Sequence, residues 1–465
     1  VTPPPEEDTR RLLADGPVRR TAITLAARAR EDWSYASSIL NTGFRESRLG
    51  QAERGLVAEA VYGQIRLHRK IEFLLGFGLK PTGRRLVDLP PRERDLARYL
   101  AWVVLGAGVA AADAAAAAPA RLAPAITALT REEEALAAAG DPARRAAVRL
   151  SYPDWILERF TAELGLEEAT ALAGAMNERA PLVVRANTLR TTREELARTL
   201  AEAGVATEPT RLARDGLRLL SHVNAYGLEA FRAGLFEVQD EGSQLVSELC
   251  APPPQGHVID ACAGAGGKTL ALGALARNRG RVLALDVDER KLVELQRRAR
   301  RAGLSNVQAR TPAPEALLAL EGRGDRVLCD VPCSGLGVLR RNPEARWRLT
   351  PASIAELPPK QRGILERYAA LCAPGGRVIY ATCTVVREEN DDVVDGFLAA
   401  HPEFERVPAK EILGGERAFE LGDGTALRLY PHRQGTDGFF AAVVRRRSAG
   451  IRGTTSSSRT TSRRW

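Results

Sequence analysis

The feature that most constrains the fold is an alternation of two periodicities that begins at Phe236 and runs almost to the end of the chain. Five short apolar runs, HVIDACAG, RVLALDVD, RVLCDVP, GRVIYATC and GFFAAVV, have the length and composition of strands. Helical patterns such as KLVELQRRARRAG and KQRGILERYAALCAPGG lie between them. Strands that alternate with helices predict βαβ units and a parallel, doubly wound sheet. Such a sheet also says where to look for chemistry, because ligands of open α/β sheets bind beyond the carboxyl ends of the strands.

The rest of the chain has a different texture. Residues 1–17 read as a flexible leader. Over 18–150, apolar residues recur three and four apart in TAITLAARA, GLVAEAVYGQIRL and RDLARYLAWVVL, which predicts an all-helical domain. Lys80-Pro81-Thr82-Gly83 and Pro90-Pro91 interrupt it as loops. Over 151–235, the β-branched run PLVVRANTLR and the helix REELARTLAEAG predict a small α+β connecting segment. The α/β domain then occupies 236–447. Residues 448–465 are rich in Ser, Thr and Arg without periodicity and are expected to be a disordered basic tail.

Composition narrows the function classes. The Ala-rich run from Gly108 to Ala120 is broken by Asp113 and Pro119, too short to span a bilayer. The first residues are prolines and acids, unlike a secretory signal, so a soluble, cytoplasmic protein with no membrane partner is expected. Sixty-seven basic residues against 58 acidic ones give +9, which suits a polyanionic partner. Only six of those cations are lysine, and an Arg- and Ala-rich skew of this kind equally reflects biased genome composition. Six cysteines without a C-x-x-C pair, and five histidines, argue against a zinc site, so no metal is expected.

The first strand of the α/β domain runs into Asp260-Ala-Cys-Ala-Gly-Ala-Gly-Gly-Lys-Thr269. Glycines between a strand and a helix let the backbone approach a ligand closely. A phosphate-binding loop needs glycine where Cys262 stands, and a dinucleotide loop starting at Gly264 needs glycine where Thr269 stands. What remains is G-x-G-G, the loop of S-adenosylmethionine (SAM) methyltransferases. The candidate cofactor-binding residues are Cys262, Ala263, Gly264, Ala265, Gly266, Gly267 and Lys268. Asp286, at the end of the second strand, is placed to accept hydrogen bonds from ribose hydroxyls.

Two cysteines also fall at strand ends, Cys333 in Asp330-Val-Pro-Cys-Ser-Gly and Cys383 in Thr382-Cys-Thr384. Cys250, Cys329 and Cys372 read as ordinary core residues. Cytosine methylation gives an exposed pair work. A thiolate that adds to carbon-6 makes carbon-5 nucleophilic, and the carbon-5 proton must then leave before the thiol is eliminated. A thiol of ordinary pKa is only ~3% thiolate at pH 7, so the site should supply a cation, for which Lys268 is the candidate. Asp330 could hydrogen-bond the exocyclic amine and a protonated N3 of the base, and it also borders the cofactor.

With these residues in view, the chain resembles a known family. DACAGAGGKT, DVPCSG, YATCT and the following Arg387-Glu-Glu-Asn390 resemble RNA cytosine-C5 methyltransferases of the Sun/nucleolar-protein family. FEVQDEGSQLVSEL, GLGVLRRNPEARWRL and GTDGFFAAVVRR agree with it. The resemblance implies a Rossmann-like class I SAM methyltransferase domain. It also implies Cys383 as nucleophile and Cys333 as the residue that assists proton loss and product release. PVRRTAITLAARAREDWSYASSILN and the helical patterns after it resemble the NusB-like RNA-binding domain of the bacterial Sun/Fmu/RsmB group, which acts on 16S ribosomal RNA.

The chain departs from that group in three places. The glycine loop lacks the usual Ala-Ala-Pro. The third strand is followed by Thr311, with no acid before Glu315. A low-complexity stretch, GAGVAAADAAAAAPA, replaces part of the helical domain. For RNA contacts, Arg340 and Arg341 are candidates to pair with phosphates and Trp347 to stack on a base. Arg297, Arg298, Arg300 and Arg301 are expected to form a solvated helix face. The reading is therefore a SAM-dependent RNA cytosine-C5 methyltransferase, with ribosomal RNA as the expected partner and oligomeric state undefined. The alternatives are the same chemistry on tRNA, or a non-catalytic RNA-binding or ribosome-assembly protein that kept the fold.

Overall fold

The computed structural model describes residues 4–221 and 223–448. Residues 6–150 form helices, short 3-10 turns and loops. In the helix Pro17–Asp32 the residues Val18, Ala22, Leu25, Ala26 and Ala29 are buried, one apolar stripe at three- and four-residue spacing. It packs against Gln51–Arg66, whose Val57, Ala60, Val61 and Ile65 face the same core. The expectation of a loose leader is corrected here, because Glu6–Leu13 is a helix and Leu12 is buried. Three acids in its first turn and two arginines in its last complement the helix dipole. The Tyr99 hydroxyl donates to the Leu12 carbonyl at 2.9 Å and ties the segment down.

The connecting segment carries two helices, Asp154–Leu164 and Leu166–Ala175, then a small antiparallel sheet. Its strands are β1 (Leu182–Ala186), β2 (Thr207–Pro209), β3 (Gly216–Leu219) and β4 (Phe236–Val238), in the order β2-β3-β1-β4, so the boundary expected at 235 is corrected: β4 pairs with β1 and belongs to this sheet. The helix Arg193–Glu202 covers it, started by a capping box between Thr192 and Glu195. Leu196 and Leu200 of that helix share a core with Val184, Leu217 and Phe236.

The large sheet contains β5 (His257–Asp260), β6 (Arg281–Leu285), β7 (Val307–Arg310), β8 (Gly324–Asp330), β9 (Cys372–Thr382), β10 (Phe404–Val407), β11 (Leu427–Leu429) and β12 (Phe439–Arg446). The order is β10-β12-β9-β8-β5-β6-β7, with β11 paired to β12. β5 to β9 run parallel to one another, as expected. The GFFAAVV run is not, since β12 is antiparallel to both β9 and β10, and the sheet is mixed. β11 and β12 are joined by residues 430–438, which hold only the one-turn helix Pro431–Gln434, a connection too short for a crossover, so the return is antiparallel. Along β12 the residues alternate between the two faces of the sheet, with Phe440, Ala442 and Val444 in one core and Phe439, Ala441 and Val443 in the other. The tail expected to be disordered lies, from residue 449 on, outside the described residues.

Candidate active site

The glycine loop follows β5 and opens the helix Gly267–Leu275. Gly266 has φ +90°, and a Cβ there would lie 2.5 Å from the Leu295 side chain, so only glycine fits. Asp286 accepts from the backbone N–H of Gly264 (2.8 Å) and of Asp288 (2.9 Å), which fixes the carboxylate beside the loop. Arg298 donates to the Ala265 carbonyl at 2.7 Å and pairs with Glu237 at 2.9 Å. Arg301 also pairs with Glu237, which is buried. The expected solvated arginine face is thus corrected for these two residues, which a buried carboxylate draws inward. Asp260 is buried, and its carboxylate accepts from the Thr269 hydroxyl at 2.7 Å. Burial raises its pKa to about 7.

The two cysteines are brought together by strand register. β8 and β9 run parallel with Asp330 opposite Ala381, so the loops that follow leave the sheet side by side. Their sulfurs lie 3.3 Å apart, and the backbone N–H of Cys383 points at the Cys333 sulfur, also at 3.3 Å. Both are partly exposed, whereas Cys250, Cys329 and Cys372 are buried as expected, although Cys372 opens β9 and does not lie in the helix that its surroundings suggest. Cys262 is partly exposed in the glycine loop, and burial pushes its thiol up, away from reactivity. The hydrogen bond from Cys383, followed by burial and the charges of Cys383 and Glu389, raises the Cys333 pKa well above the ordinary thiol value.

Lys268 reaches across from the glycine loop to Asp330, Nζ to Oδ2 at 2.6 Å, and lies 5.3 Å from the Phe439 ring centre. Burial is the largest single effect and works against its charge, but Asp330, Cys383 and Asp260 together turn the net shift upward. Lys268 therefore carries its charge beside Asp330 and Cys383 together. The four residues named as the catalytic set from sequence, Cys383, Cys333, Asp330 and Lys268, occupy one place.

The residues around them were quoted in motifs but not given work. Ser334 and Thr384 share a hydrogen bond of 2.9 Å between their hydroxyls, one from each cysteine loop. Gly337 donates to the Cys383 carbonyl at 3.0 Å and accepts from Gly438 at 2.8 Å. A Cβ on Gly337 would sit 2.3 Å from the Gly438 oxygen, so that close approach requires glycine. Asp240, Asp437, Arg340 and Arg341 form an ion quartet, buried except for a partly exposed Arg341, that joins QDEG, TDG and LRRN, three segments far apart in sequence. Burial, and then the Asp437 charge, raises the Asp240 pKa to about 6.

That quartet corrects the assignment of Arg340 and Arg341 to phosphates. Arg340 is buried, paired with Asp437 and bonded to the Gly435 carbonyl at 3.0 Å. Arg341 pairs with both Asp437 and Asp240. Trp347 is corrected as a base-stacking platform, because the helical domain covers it. Its indole N–H donates to the Ile65 carbonyl at 2.8 Å, and its ring lies 5.7 Å from Trp33 and 5.2 Å from His68. In sequence these residues look like a basic, aromatic surface; their acidic and apolar partners lie elsewhere in the chain.

The comparisons with known proteins agree on one relationship. A family model described as 16S rRNA methyltransferase RsmB/F matches residues 248–445, and one described as an RsmF/B-like ferredoxin-like domain matches residues 152–226. A probable ribosomal RNA small subunit methyltransferase B of Bacillus subtilis is 31% identical over 446 residues, covering 92% of this chain and 99% of the relative. The chain belongs to the RsmB/F family. A putative methyltransferase of Mycobacterium tuberculosis is 32% identical, covering 96% of this chain and 100% of that protein. Among solved structures, that of PH0851 matches with a TM-score of 0.72 at 27% identity, over 95% of this chain and 99% of that one. A methyltransferase homologue from Pyrococcus horikoshii matches with a TM-score of 0.57 at 29% identity, over 66% of this chain and all of that one.

RsmB/F proteins are SAM-dependent methyltransferases, and the glycine loop fits that cofactor. No atom lies within 4 Å of where a Cβ of Gly264 or Gly267 would be, so the loop presents bare backbone to open space. The Asp286 carboxylate beside it retains acceptor capacity for ribose hydroxyls. The third strand end carries Thr311 and no carboxylate. Among the described residues no helix is long and apolar enough to cross a membrane, and no cluster of metal-binding side chains occurs.

Proposed function

We propose that the chain methylates carbon-5 of a cytosine in 16S ribosomal RNA, with Cys383 as the nucleophile and Cys333 assisting release. The observation that carries this reading is the pair of partly exposed sulfurs 3.3 Å apart, next to the Lys268–Asp330 ion pair. The names of the relatives support the RNA class. SAM, held by residues 262–267 and Asp286, supplies an electrophilic methyl group. Cys383 Sγ forms a bond to carbon-6, and the displaced π electrons make carbon-5 nucleophilic. Lys268, paired with Asp330, supplies a positive charge on the Cys383 side of the pair. Asp330 is oriented by that ammonium, leaving it able to hold the exocyclic amine and a protonated N3 of the base.

After methyl transfer the carbon-5 proton passes to water. The C5–H electrons restore the double bond, and the carbon-6–sulfur electrons return to Cys383. The Cys333 thiol, in contact with that sulfur, stabilises it as it leaves. The target base must be out of any stack for a sulfur to reach carbon-6, so an unpaired or opened site is expected. The reaction would take place in the cytoplasm, where ribosomal RNA is found.

The test uses full-length protein, SAM and ribosomal RNA. Cys333→Ala should accumulate an RNA–protein adduct visible on a denaturing gel, and Cys383→Ala should give neither adduct nor product. Normal turnover by the Cys333 variant without adduct would refute the role assignment. Bisulfite sequencing of ribosomal and transfer RNA from a deletion strain identifies the target, and loss of a mark in tRNA alone would move the substrate there.

A further inference from the structure

Glu389 and Asn390 follow the Cys383 loop, and their side chains reach in different directions. Asn390 holds the Cys383 side: its Oδ1 accepts from the Thr382 hydroxyl at 2.6 Å and its Nδ2 donates to the Thr384 carbonyl at 3.2 Å. Glu389 holds the Cys333 side: its Oε2 accepts from the Ser334 backbone N–H at 2.8 Å and from Gln361 Nε2 at 2.9 Å. The same Gln361 amide donates to the Pro332 carbonyl at 3.0 Å, so the residues on both sides of Cys333 hang from one carboxylate and one amide. The Tyr380 hydroxyl donates to the Glu389 carbonyl at 2.6 Å and fixes its backbone. Two consecutive residues thus clamp the two loops that carry the sulfurs.

Glu389 is also electrically unusual. It is completely buried, and among the described residues no arginine or lysine pairs with it and its Oε1 has no hydrogen-bond partner. A buried carboxylate held only by neutral donors projects its charge onto whatever is near. The titratable groups facing Cys333 are Cys383 from the adjacent loop, Glu389 from the following turn and Tyr380 from β9. The cation of the site, Lys268, is paired with Asp330 and faces Cys383. The two sulfurs therefore sit in opposite surroundings, an anion beside one and a cation beside the other.

We propose that Glu389 is a positioning residue: with Asn390 it sets the separation of the two sulfurs, and its buried charge keeps the proton of the pair on Cys333. This deepens the reading of Cys383 as nucleophile, since it supplies a physical reason why two adjacent thiols take different roles.

The test is the alkylation rate of Cys333 by iodoacetamide, followed by peptide mass spectrometry on full-length Cys383→Ala protein. Neither RNA nor SAM is present, so a protein inactive on RNA still answers the question. Adding Glu389→Gln keeps the shape, removes the charge, and should speed Cys333 alkylation at pH 8 about tenfold, the effect of one pKa unit on a thiol far above the pH. Adding Gln361→Met removes a donor that offsets the charge and should slow it severalfold. Opposite directions are the expected result, because loosening the loop would accelerate both. Two accelerations, or no change in either, would overturn the proposal. If Glu389→Gln does not fold, Gln361→Met decides alone: slower alkylation supports the proposal, and unchanged or faster alkylation overturns it.

Discussion

The loops that end β8 and β9 each deliver a sulfur, yet they are held at very different ranges. The Cys383 loop closes on itself within eight residues, through Asn390 to Thr382 and Thr384. The segment after Cys333 instead crosses the molecule. Arg340 and Arg341 enter the ion quartet, Arg346 lies 4.0 Å from the Tyr152 ring centre, and Trp347 packs into the helical domain. The Cys383 loop thus adds local hydrogen bonds of its own to the ties it shares with the Cys333 loop, whereas the Cys333 segment depends on tertiary partners. A change in the helical domain has a path to Cys333 and a much weaker one to Cys383.

The largest effect should come from the locally held side. Cys383→Ala is expected to lower methyl transfer by more than about a thousandfold, as loss of a covalent nucleophile does. SAM affinity by calorimetry should stay near wild type, and a variant that kept transferring methyl groups would erase the division of labour between the loops. Next comes the ion quartet. Asp437→Ala leaves the buried Arg340 and the half-buried Arg341 with Asp240 alone and should cost about 3 kcal/mol in chemical denaturation.

Trp347→Ala should cost about 2 kcal/mol, less than a fully buried tryptophan because the ring is only partly covered. Hydrogen exchange would sharpen the contrast: exchange should quicken over residues 335–349 and hold steady over 384–390. Equal quickening in both would mean that the loops move as one unit. A pH slope is expected at the glycine-loop side. Asp260 is protonated in the fold up to about pH 7, whereas an unfolded aspartate ionises near ~4. The folded state therefore holds more protons in that window, and stability falls as pH rises through it. In Asp260→Asn this part of the slope in Tm between pH 4 and 7 should disappear.

Much of the site was legible because its parts sit at strand ends, where composition changes abruptly. Cys333 and Cys383 stand among Pro, Ser, Thr and Gly just after β-branched runs, and Gly264 to Lys268 fill the turn between a strand and a helix. The arginines and Trp347 were misread for a related reason. A charge or a ring in a short loop looks solvated until its partner is known, and Asp437 and Ile65 lie far away in the chain. The leader was misread because a helix of eight residues with one buried leucine leaves almost no periodic signal.

What the amino-acid order determined alone was local: which stretches are helix or strand, which turn needs glycine at Gly266, and which cysteines fall where a strand breaks. Those properties follow from backbone geometry and from spacing over a few residues. What tertiary structure decided was pairing across distance: the antiparallel return of β12, the partners of Arg340 and Trp347, and the surroundings of Glu389. Such pairings depend on which groups meet after the chain is packed, and burial then turns a meeting into a strong interaction by removing the water that would have screened it.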